Sequence, residues 1–289
     1  DLYGRPIYVK HEGVHNRFVV KDLESRGAIF IEEIKEIPDD SIVIFSAHGV
    51  SKKVETETNI RGLQFHDATC PLVTKVHMEV IKHARAERDI ILIGHEGHPE
   101  VEGTMGRHIK SKNSKIYLVQ DEKDAKSIKV NQPDNLALVT QTTLSVDDTK
   151  AIIIELRKRF PNLITPKNDD ICYATQNRQD AVKQLALENE FMIVVGSKNS
   201  SNSNRLKELS DRCGCEAVLI DEFNDLDLKK IKDIKKIAIT AGASAPENRV
   251  QEIAESIQIV TGGTISEVGK DEENIVFKMP PELRREKVQ

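Results

Sequence analysis

Short apolar runs alternate along the chain with longer, charged segments. The runs are too short for helices and are rich in Ile and Val, which is typical of strands buried on both faces of parallel sheets. We predict strands at 7–9, 28–31, 42–45, 90–93, 116–119, 136–139, 192–195, 217–220 and 237–239.

The charged segments between these runs have the spacing of amphipathic helices. We predict helices at 76–88, 146–160, 177–190 and 245–260, and a further helix that begins near Arg205. Alternation of strand and helix throughout the chain indicates an α/β fold with parallel sheets. The 289 residues are enough for two or three domains with buried cores.

Five of the predicted strands run into small polar loops rich in Gly, Ser, Thr and His. In open α/β sheets, ligands bind beyond the carboxyl ends of the strands, where loops lead into helices. We therefore expect these loops to form one shared site. They are 46–49 (SAHG), 94–100 (GHEGHPE), 140–143 (TQTT), 196–204 (GSKNSSNSN) and 240–246 (TAGASAP).

The loop at 197–204 carries hydroxyl and amide side chains directly before a predicted helix. Such a position favours an anion, because backbone N–H groups and the helix dipole both attract negative charge. The alternative is an ordinary N-cap within a polar turn. The loop at 240–246 has the same form, and Pro246 suits a first helical turn.

Histidines also stand at strand ends. His48 and His98 each follow a buried strand, and an imidazole can donate a hydrogen bond to a phosphate oxygen or a substrate hydroxyl. A packing role is the alternative for each. The segment 95–98 lacks the His-Glu-x-x-His spacing of zinc proteases. Surface or packing roles are assigned to His66, His77, His83 and His108.

Glu100 lies close to His98 in the same loop. A carboxyl group in a site that binds a polyanion tends to have a raised pKa and can donate a proton. The alternative is a solvated loop glutamate.

Two of the four cysteines, Cys70 and Cys172, each stand alone in a polar, turn-prone stretch that contains Asp and Thr. Thiolates are soft ligands that favour zinc or iron–sulfur clusters. There is no Cys-x-x-Cys pair of the kind used by zinc knuckles, so an iron–sulfur cluster gathered from distant segments is the alternative. The motif at 213–215 (CGC) is a weak signal, and we predict that it packs as small residues.

Composition excludes several classes of protein. The formal net charge of −5 argues against a nucleic-acid binder and against a basic membrane-surface protein. No apolar stretch approaches 18 residues and no secretory signal is visible, so we expect neither a membrane helix nor secretion. The cysteine content indicates a reducing compartment. The start at Asp1, just before a strand, suggests an absent upstream segment.

Eight motifs, taken in order along the chain, together resemble the 4-hydroxy-3-methylbut-2-enyl diphosphate reductase family. They are 14–16 (VHN), 45–50 (FSAHGV), 67–73 (DATCPLV), 94–103 (GHEGHPEVEG), 141–145 (QTTLS), 170–175 (DICYAT), 195–205 (VGSKNSSNSNR) and 240–246 (TAGASAP). The resemblance covers nearly the whole chain.

This resemblance implies a trefoil of three similar α/β domains around a central [4Fe–4S] cluster that three cysteines hold. The implied activity is reductive dehydroxylation of (E)-4-hydroxy-3-methylbut-2-enyl diphosphate to isopentenyl diphosphate and dimethylallyl diphosphate. That reaction is the last step of the methylerythritol phosphate route to isoprenoids. The implied electron donor is ferredoxin or flavodoxin, and the implied compartment is the bacterial cytoplasm or the plastid stroma, with no nucleic-acid or membrane partner.

The resemblance also implies roles for individual residues. Cys70 and Cys172 match two cluster ligands, and the third is expected upstream of Asp1 in a Gly-x-Cys-x-Gly-Val motif. Glu100 matches the proton donor, and Thr142 matches the hydroxyl that orients the substrate and the proton relay. The matching substrate-binding residues are His15, His48, His98, Thr142, Ser200, Ser201, Asn202 and Ser244. The implied domains are 1–70, 71–170 and 171–265, followed by a C-terminal strap, 266–289, that returns to the first domain.

A second hypothesis belongs to another class of protein. The chain could be a non-redox α/β module that binds a phosphorylated ligand, with structural cysteines. Such a module would bind diphosphate without iron and without dependence on Cys70.

Overall fold

In the part of the chain that the structure describes, the fold consists of three separate parallel β-sheets, each flanked by helices. The computed structural model describes residues 3–109, 113–167, 169–269 and 275–277. The predicted α/β class with three parallel-sheet domains is confirmed.

The first sheet has the strand order β2-β1-β3-β4. Its edge strand β4 was missed by sequence reasoning, because the segment Gln-Phe-His-Asp contains a single large apolar residue. The strands are β1 (Ile7–Lys10), β2 (Ala28–Ile31), β3 (Ile42–Phe45) and β4 (Gln64–Asp67), and the helices are α1 (Arg17–Ser25) and α2 (Lys52–Ile60).

The second sheet has the order β6-β5-β7. Every residue of β5 and β7 is buried, as expected for Ile/Val-rich strands covered on both faces. The strands are β5 (Asp89–Ile93), β6 (Ile116–Val119) and β7 (Leu136–Thr140). The helices are α3 (Pro71–Arg85), α4 (Pro99–Met105), α5 (Glu122–Ser127) and α6 (Val146–Arg159).

The third sheet repeats this arrangement in the order β10-β8-β9. Its strands are β8 (Phe191–Val195), β9 (Glu216–Ile220) and β10 (Ile237–Ala241). Its helices are α7 (Tyr173–Glu188), α8 (Ser201–Arg212) and α9 (Glu247–Thr261).

All three sheets share one connection pattern. In each, the first strand is central, the second pairs on one side of it and the third pairs on the other. The chain therefore reverses its direction of winding around the central strand, which opens a crevice at the carboxyl ends of the strands. The polar strand-end loops lie at those ends.

Three helices begin earlier than the sequence predicted. They start at Pro71 rather than 76, at Tyr173 rather than 177, and at Ser201 rather than near Arg205. The first turn of α8 is polar, so apolar periodicity places its start too late. The first turns of α3 (Pro-Leu-Val-Thr) and α7 (Tyr-Ala-Thr-Gln) contain apolar residues, so polarity does not explain why the starts of these helices were placed too late. The residues directly before the three helices, Cys70, Cys172 and Ser200, occupy the N-cap positions.

Each sheet uses strands from one of the predicted ranges 1–70, 71–170 and 171–265, although the boundaries themselves stay predictions. Residues 266–269 and 275–277 are exposed, and the rest of the predicted strap lies outside the described residues. Among the helices that the structure describes, none is both long and apolar enough to cross a membrane.

Ser203, in the first turn of α8, packs between the carboxyl ends of β8 and β10. Its side chain is fully buried, and its hydroxyl donates to Ser200 Oγ at 3.0 Å. A Cβ added to Gly242, after β10, would lie 2.1 Å from Ser203 Oγ. A Cβ added to Gly196, after β8, would lie 2.3 Å from Oγ and 2.8 Å from Ser203 Cβ. Glycines at both strand ends therefore let α8 approach the sheet.

We expect Gly242→Ala to lower the free energy of unfolding by about 1–3 kcal/mol through overpacking. In a Ser203→Ala background the nearest Ser203 atom would be Cβ at 3.3 Å, so this cost should fall. The cost of Gly196→Ala should persist there, because its new Cβ still meets Ser203 Cβ. Urea denaturation of the single and double variants measures both costs, and equal rescue of the two glycines would contradict this packing.

Candidate functional site

Three predicted histidines from two domains form one cluster. His15 lies in the β1–α1 loop, His48 follows β3, and His98 is the N-cap of α4. The ring centroids of His15 and His48 are 4.4 Å apart, and that of His98 lies 5.6 Å from the first and 5.7 Å from the second. The structure thus brings together side chains that are far apart in sequence.

Two of these imidazoles are neutral at physiological pH. Burial, reinforced by the neighbouring His15 and His98, lowers the pKa of His48 to about 3. Burial is the largest cause that lowers the pKa of His98 to about 4, and the neighbouring His15 and His95 add to this shift. The backbone N–H of Glu100 donates to His98 Nδ1 at 3.2 Å. The proton of neutral His98 is therefore on Nε2, which can donate to a ligand.

Asn202, in the first turn of α8, is buried, yet neither Nδ2 nor Oδ1 has a hydrogen-bond partner among the described residues. His15 Nε2 is likewise buried without a partner within that part of the chain. A buried polar group left unpaired costs about 1–3 kcal/mol. Such atoms beside a helix N-terminus indicate a site for a polar, anionic ligand.

Two of the three predicted serines make hydrogen bonds between domains, and the third caps a helix. Ser244 Oγ donates to the carbonyl of His15 at 3.1 Å, and Ser201 Oγ donates to the carbonyl of Thr143 at 3.2 Å. Ser200 Oγ accepts from the backbone N–H of Ser203 at 3.3 Å as the N-cap of α8. The bonds of Ser244 and Ser201 hold the third-domain loops against the loops of the other two domains.

Glu100 and Thr142 form a buried pair. Glu100 is 2% exposed, and its two carboxylate oxygens accept from Thr142 N at 2.6 Å and from Thr142 Oγ1 at 3.0 Å. Burial raises the pKa of Glu100 to about 7; the bonds from Thr142 oppose this shift and Asp170 adds to it. A carboxyl group with a pKa near the working pH is suited to donate a proton.

Cys70 and Cys172 are both half-buried at helix N-termini, and neither forms a disulfide. The N–H of Cys70 donates to the carbonyl of Ala47 at 3.0 Å, next to His48. The N–H of Cys172 donates to the carbonyl of Thr142 at 2.9 Å. Backbone bonds thus tie each cysteine to a strand-end loop of the candidate site.

The two thiols suit an iron–sulfur cluster in kind, because they are soft donors at helix ends that favour negative charge. They are one fewer than the predicted three ligands. Among the described residues, no group of three or more His, Cys, Asp or Glu side chains could hold a metal ion. Of the remaining cysteines, Cys215 is buried in a core cluster, as predicted for small-residue packing, whereas Cys213 is exposed.

Sequence reasoning did not single out two acidic residues at this site. Asp170 Oδ2 accepts from the N–H of Thr140 at 3.0 Å, and its Oδ1 pairs with Lys75 at 3.0 Å. Glu12 contacts His15 and a loop of the third domain. The sequence signal that could have identified Asp170 is its position two residues before Cys172. For Glu12, the sequence offers no signal except its position three residues before His15.

Comparisons with a family model, with the sequences of relatives and with solved structures all identify the same group of proteins. The model of the family described as LytB protein matches residues 1–258. The 4-hydroxy-3-methylbut-2-enyl diphosphate reductase of Alcanivorax borkumensis is 59% identical over 284 residues, which cover 98% of this chain and 91% of the relative. The reductase of Ectopseudomonas mendocina is 58% identical, with 98% and 90% covered.

Two solved structures are also similar. The E-1-hydroxy-2-methyl-but-2-enyl-4-diphosphate reductase of Plasmodium falciparum has a TM-score of 0.85 and 41% identity, covering 89% of this chain and 80% of that one. A second structure, of (E)-4-hydroxy-3-methyl-but-2-enyl diphosphate reductase, has a TM-score of 0.60 and 30% identity, covering 88% and 89%.

The raised pKa of Glu100 generates a stability prediction. Between about pH 4.5 and 7 the folded protein holds a proton on Glu100 that the unfolded chain releases, so stability is lost as pH rises through this range. As the pH rises from 5 to 8, we expect the free energy of unfolding of the wild type to fall by about 1–3 kcal/mol relative to that of Glu100→Gln. Urea titrations at several pH values measure the difference.

The matched control is Glu102→Gln, an exposed glutamate on the same helix. Its stability should follow that of the wild type across the same range. Parallel curves for wild type and Glu100→Gln would contradict the raised pKa.

Proposed function

The chain belongs to the LytB protein family, and on this premise we propose that it is a 4-hydroxy-3-methylbut-2-enyl diphosphate reductase. In this proposal it converts the allylic diphosphate to isopentenyl diphosphate and dimethylallyl diphosphate, the last step of the methylerythritol phosphate pathway. The observation that carries the proposal is the cluster of His15, His48 and His98. The unpaired polar atoms of Asn202 and the buried Glu100, two residues after His98, also support the proposal.

The diphosphate group is bound mainly by neutral donors and a helix end. The candidate neutral donors are the Nε2–H of His98, the amide of Asn202 and the N-terminus of α8. His15 faces the same group with Nε2, which donates when both ring nitrogens carry a hydrogen. His48, Ser200, Ser201 and Ser244 complete the predicted set. Neutral donors and aligned peptide dipoles stabilise an anion in a water-poor site without an unpaired cationic side chain.

Glu100 is the proposed proton donor of the reaction. Replacing the substrate hydroxyl by hydrogen consumes two electrons and two protons and releases water. One of these protons must reach the departing hydroxyl oxygen. Glu100 holds a proton near neutral pH, and Thr142 fixes both of its carboxylate oxygens. The Thr142 hydroxyl can then reorient toward the substrate hydroxyl, as the family resemblance implies.

Cys70 and Cys172 would hold two corners of a [4Fe–4S] cluster, and the third ligand stays a prediction for a segment upstream of Asp1. When bound, the cluster would supply single electrons and an iron that acts as a Lewis acid on the hydroxyl. We further propose ferredoxin or flavodoxin as the electron donor. The bacterial cytoplasm or the plastid stroma is the proposed location.

We expect Cys70→Ser and Cys172→Ser to lose the cluster, because serine is a poor ligand for the soft iron–sulfur core. The measurement is iron and sulfide per chain, together with visible absorbance, after anaerobic reconstitution of a protein that carries the upstream segment. The exposed Cys213→Ser is the matched control and should keep the cluster. A colourless wild type after reconstitution would favour a non-redox phosphate-binding module instead.

We expect Glu100→Gln to lower kcat by about 10²–10⁴-fold, because the amide cannot donate the acidic proton. The KM for the diphosphate should change little, since Glu100 is not among the proposed diphosphate ligands. Steady-state kinetics with a chemical reductant separates the two parameters, and Glu102→Gln serves as the control. Near-normal turnover of Glu100→Gln would show that another group supplies the proton.

A further inference from the structure

Glu12 joins the first domain to the third beside the histidine cluster. Its Oε2 oxygen lies 3.2 Å from His15 Nδ1 and also accepts from Asn199 Nδ2 at 2.8 Å. Glu12 is in the β1–α1 loop, and Asn199 is in the β8–α8 loop, 187 residues further along the chain. One carboxylate oxygen therefore contacts both sides of the proposed diphosphate site.

This contact determines which way the His15 ring presents its nitrogens. Because a carboxylate oxygen only accepts, Nδ1 must carry the hydrogen in the bond to Glu12. Nε2 then lies on the opposite edge of the ring, where it is buried and has no partner among the described residues. The backbone of His15 is held separately, by the hydroxyl of Ser244 at 3.1 Å.

Glu12 also restrains the loop that leads into α8. Asn199 directly precedes Ser200, the N-cap of that helix, and Asn202 follows in its first turn. A restraint on Asn199 thus limits movement of the helix end and of the unpaired Asn202 amide. The same oxygen orients one proposed diphosphate ligand and positions the others.

The other two histidines of the cluster lack a comparable partner in the described structure. His48 Nδ1 lies 3.4 Å from the hydroxyl of Ser46, and His98 Nδ1 accepts from a backbone N–H. For His15, the carboxylate takes one hydrogen, so a second hydrogen on Nε2 would make the ring a donor on both edges. A diphosphate oxygen facing Nε2 requires such a donor, and a charge-assisted bond of this kind is stronger than a neutral one.

We propose that Glu12 is a positioning residue: its carboxylate holds His15 with Nε2 toward the diphosphate and fastens the Asn199 loop against it. This inference rests on the proposed function, because it assigns Glu12 to the diphosphate end of the substrate. It predicts an effect on anion binding rather than on the chemical step.

The test uses the holoenzyme of Glu12→Ala and Glu12→Gln. We expect Glu12→Ala to raise both the KM for the substrate and the inhibition constant of inorganic diphosphate by about 10–100-fold, with kcat changed less than about threefold. Glu12→Gln can keep both hydrogen bonds through its one carbonyl oxygen but loses the charge, so a smaller rise is expected. Melting temperatures establish that both variants are folded.

Two further variants provide a control and a second test of the contact between Glu12 and Asn199. Glu32→Gln is the matched control, because Glu32 bonds His11 Nδ1 at 2.7 Å in the same way but is largely exposed and outside the site. Its KM and inhibition constant should equal those of the wild type. Asn199→Asp would place a carboxylate against Glu12 and should weaken diphosphate binding.

Unchanged inhibition by inorganic diphosphate in folded Glu12→Ala would overturn the proposal, as would a loss confined to kcat. Failure of the proposed function gives a different result, namely a wild type that does not reduce the allylic substrate. In that event, calorimetric titration of inorganic diphosphate into wild type and Glu12→Ala still tests whether Glu12 supports an anion site.

Discussion

The start of a helix is the structural position on which the site depends. Cys70, His98, Cys172 and Ser200 are the N-cap residues of α3, α4, α7 and α8. A helix N-terminus carries unpaired N–H groups and the positive end of the peptide dipoles. Thiolates and a diphosphate are both anionic, so one physical device serves both proposed ligand classes. Three sheets with the same connection pattern deliver these helix starts to the strand ends.

The burial of Glu100 complements this arrangement. A carboxyl group at the first turn of a helix would ordinarily be stabilised in its charged form. Here desolvation dominates and raises its pKa to about 7, despite two hydrogen bonds from Thr142. The same loops therefore provide a place for anions and, a few residues away, a proton held at neutral pH. Glu100 keeps its proton because solvent is excluded from it, since the hydrogen-bond donors around it would favour ionisation.

Sequence patterns predicted the sheet interiors well and the helix starts poorly. Buried parallel strands must be apolar, so the Ile- and Val-rich runs that became β5, β7 and β8 were visible. The first turn of α8 is polar and lacks the apolar periodicity by which helices are recognised, whereas the first turns of α3 and α7 contain apolar residues and were still missed. The short edge strand β4 was missed because one side of it has no neighbouring strand and its residues are mostly polar.

Family motifs suggested the proposed site residues, but they did not suggest the contacts of these residues. Glu12 has no distinctive sequence context, and one of its partners lies in another domain. Likewise, the motifs did not show that Ser201 and Ser244 donate their hydroxyl protons to carbonyls across domain boundaries. Such contacts depend on how the three sheets meet, which local sequence does not encode.

These boundary contacts also bear on the energetics of ligand binding. A serine hydroxyl has a single proton, and those of Ser201 and Ser244 are given to Thr143 and His15 carbonyls. If either hydroxyl donates to a diphosphate, it must release its interdomain bond, so protein–ligand bonds replace protein–protein bonds. The net gain from these serines is therefore smaller than their number suggests. His15 Nε2 and the Asn202 amide give up no bond among the described residues, so they should contribute more of the binding energy.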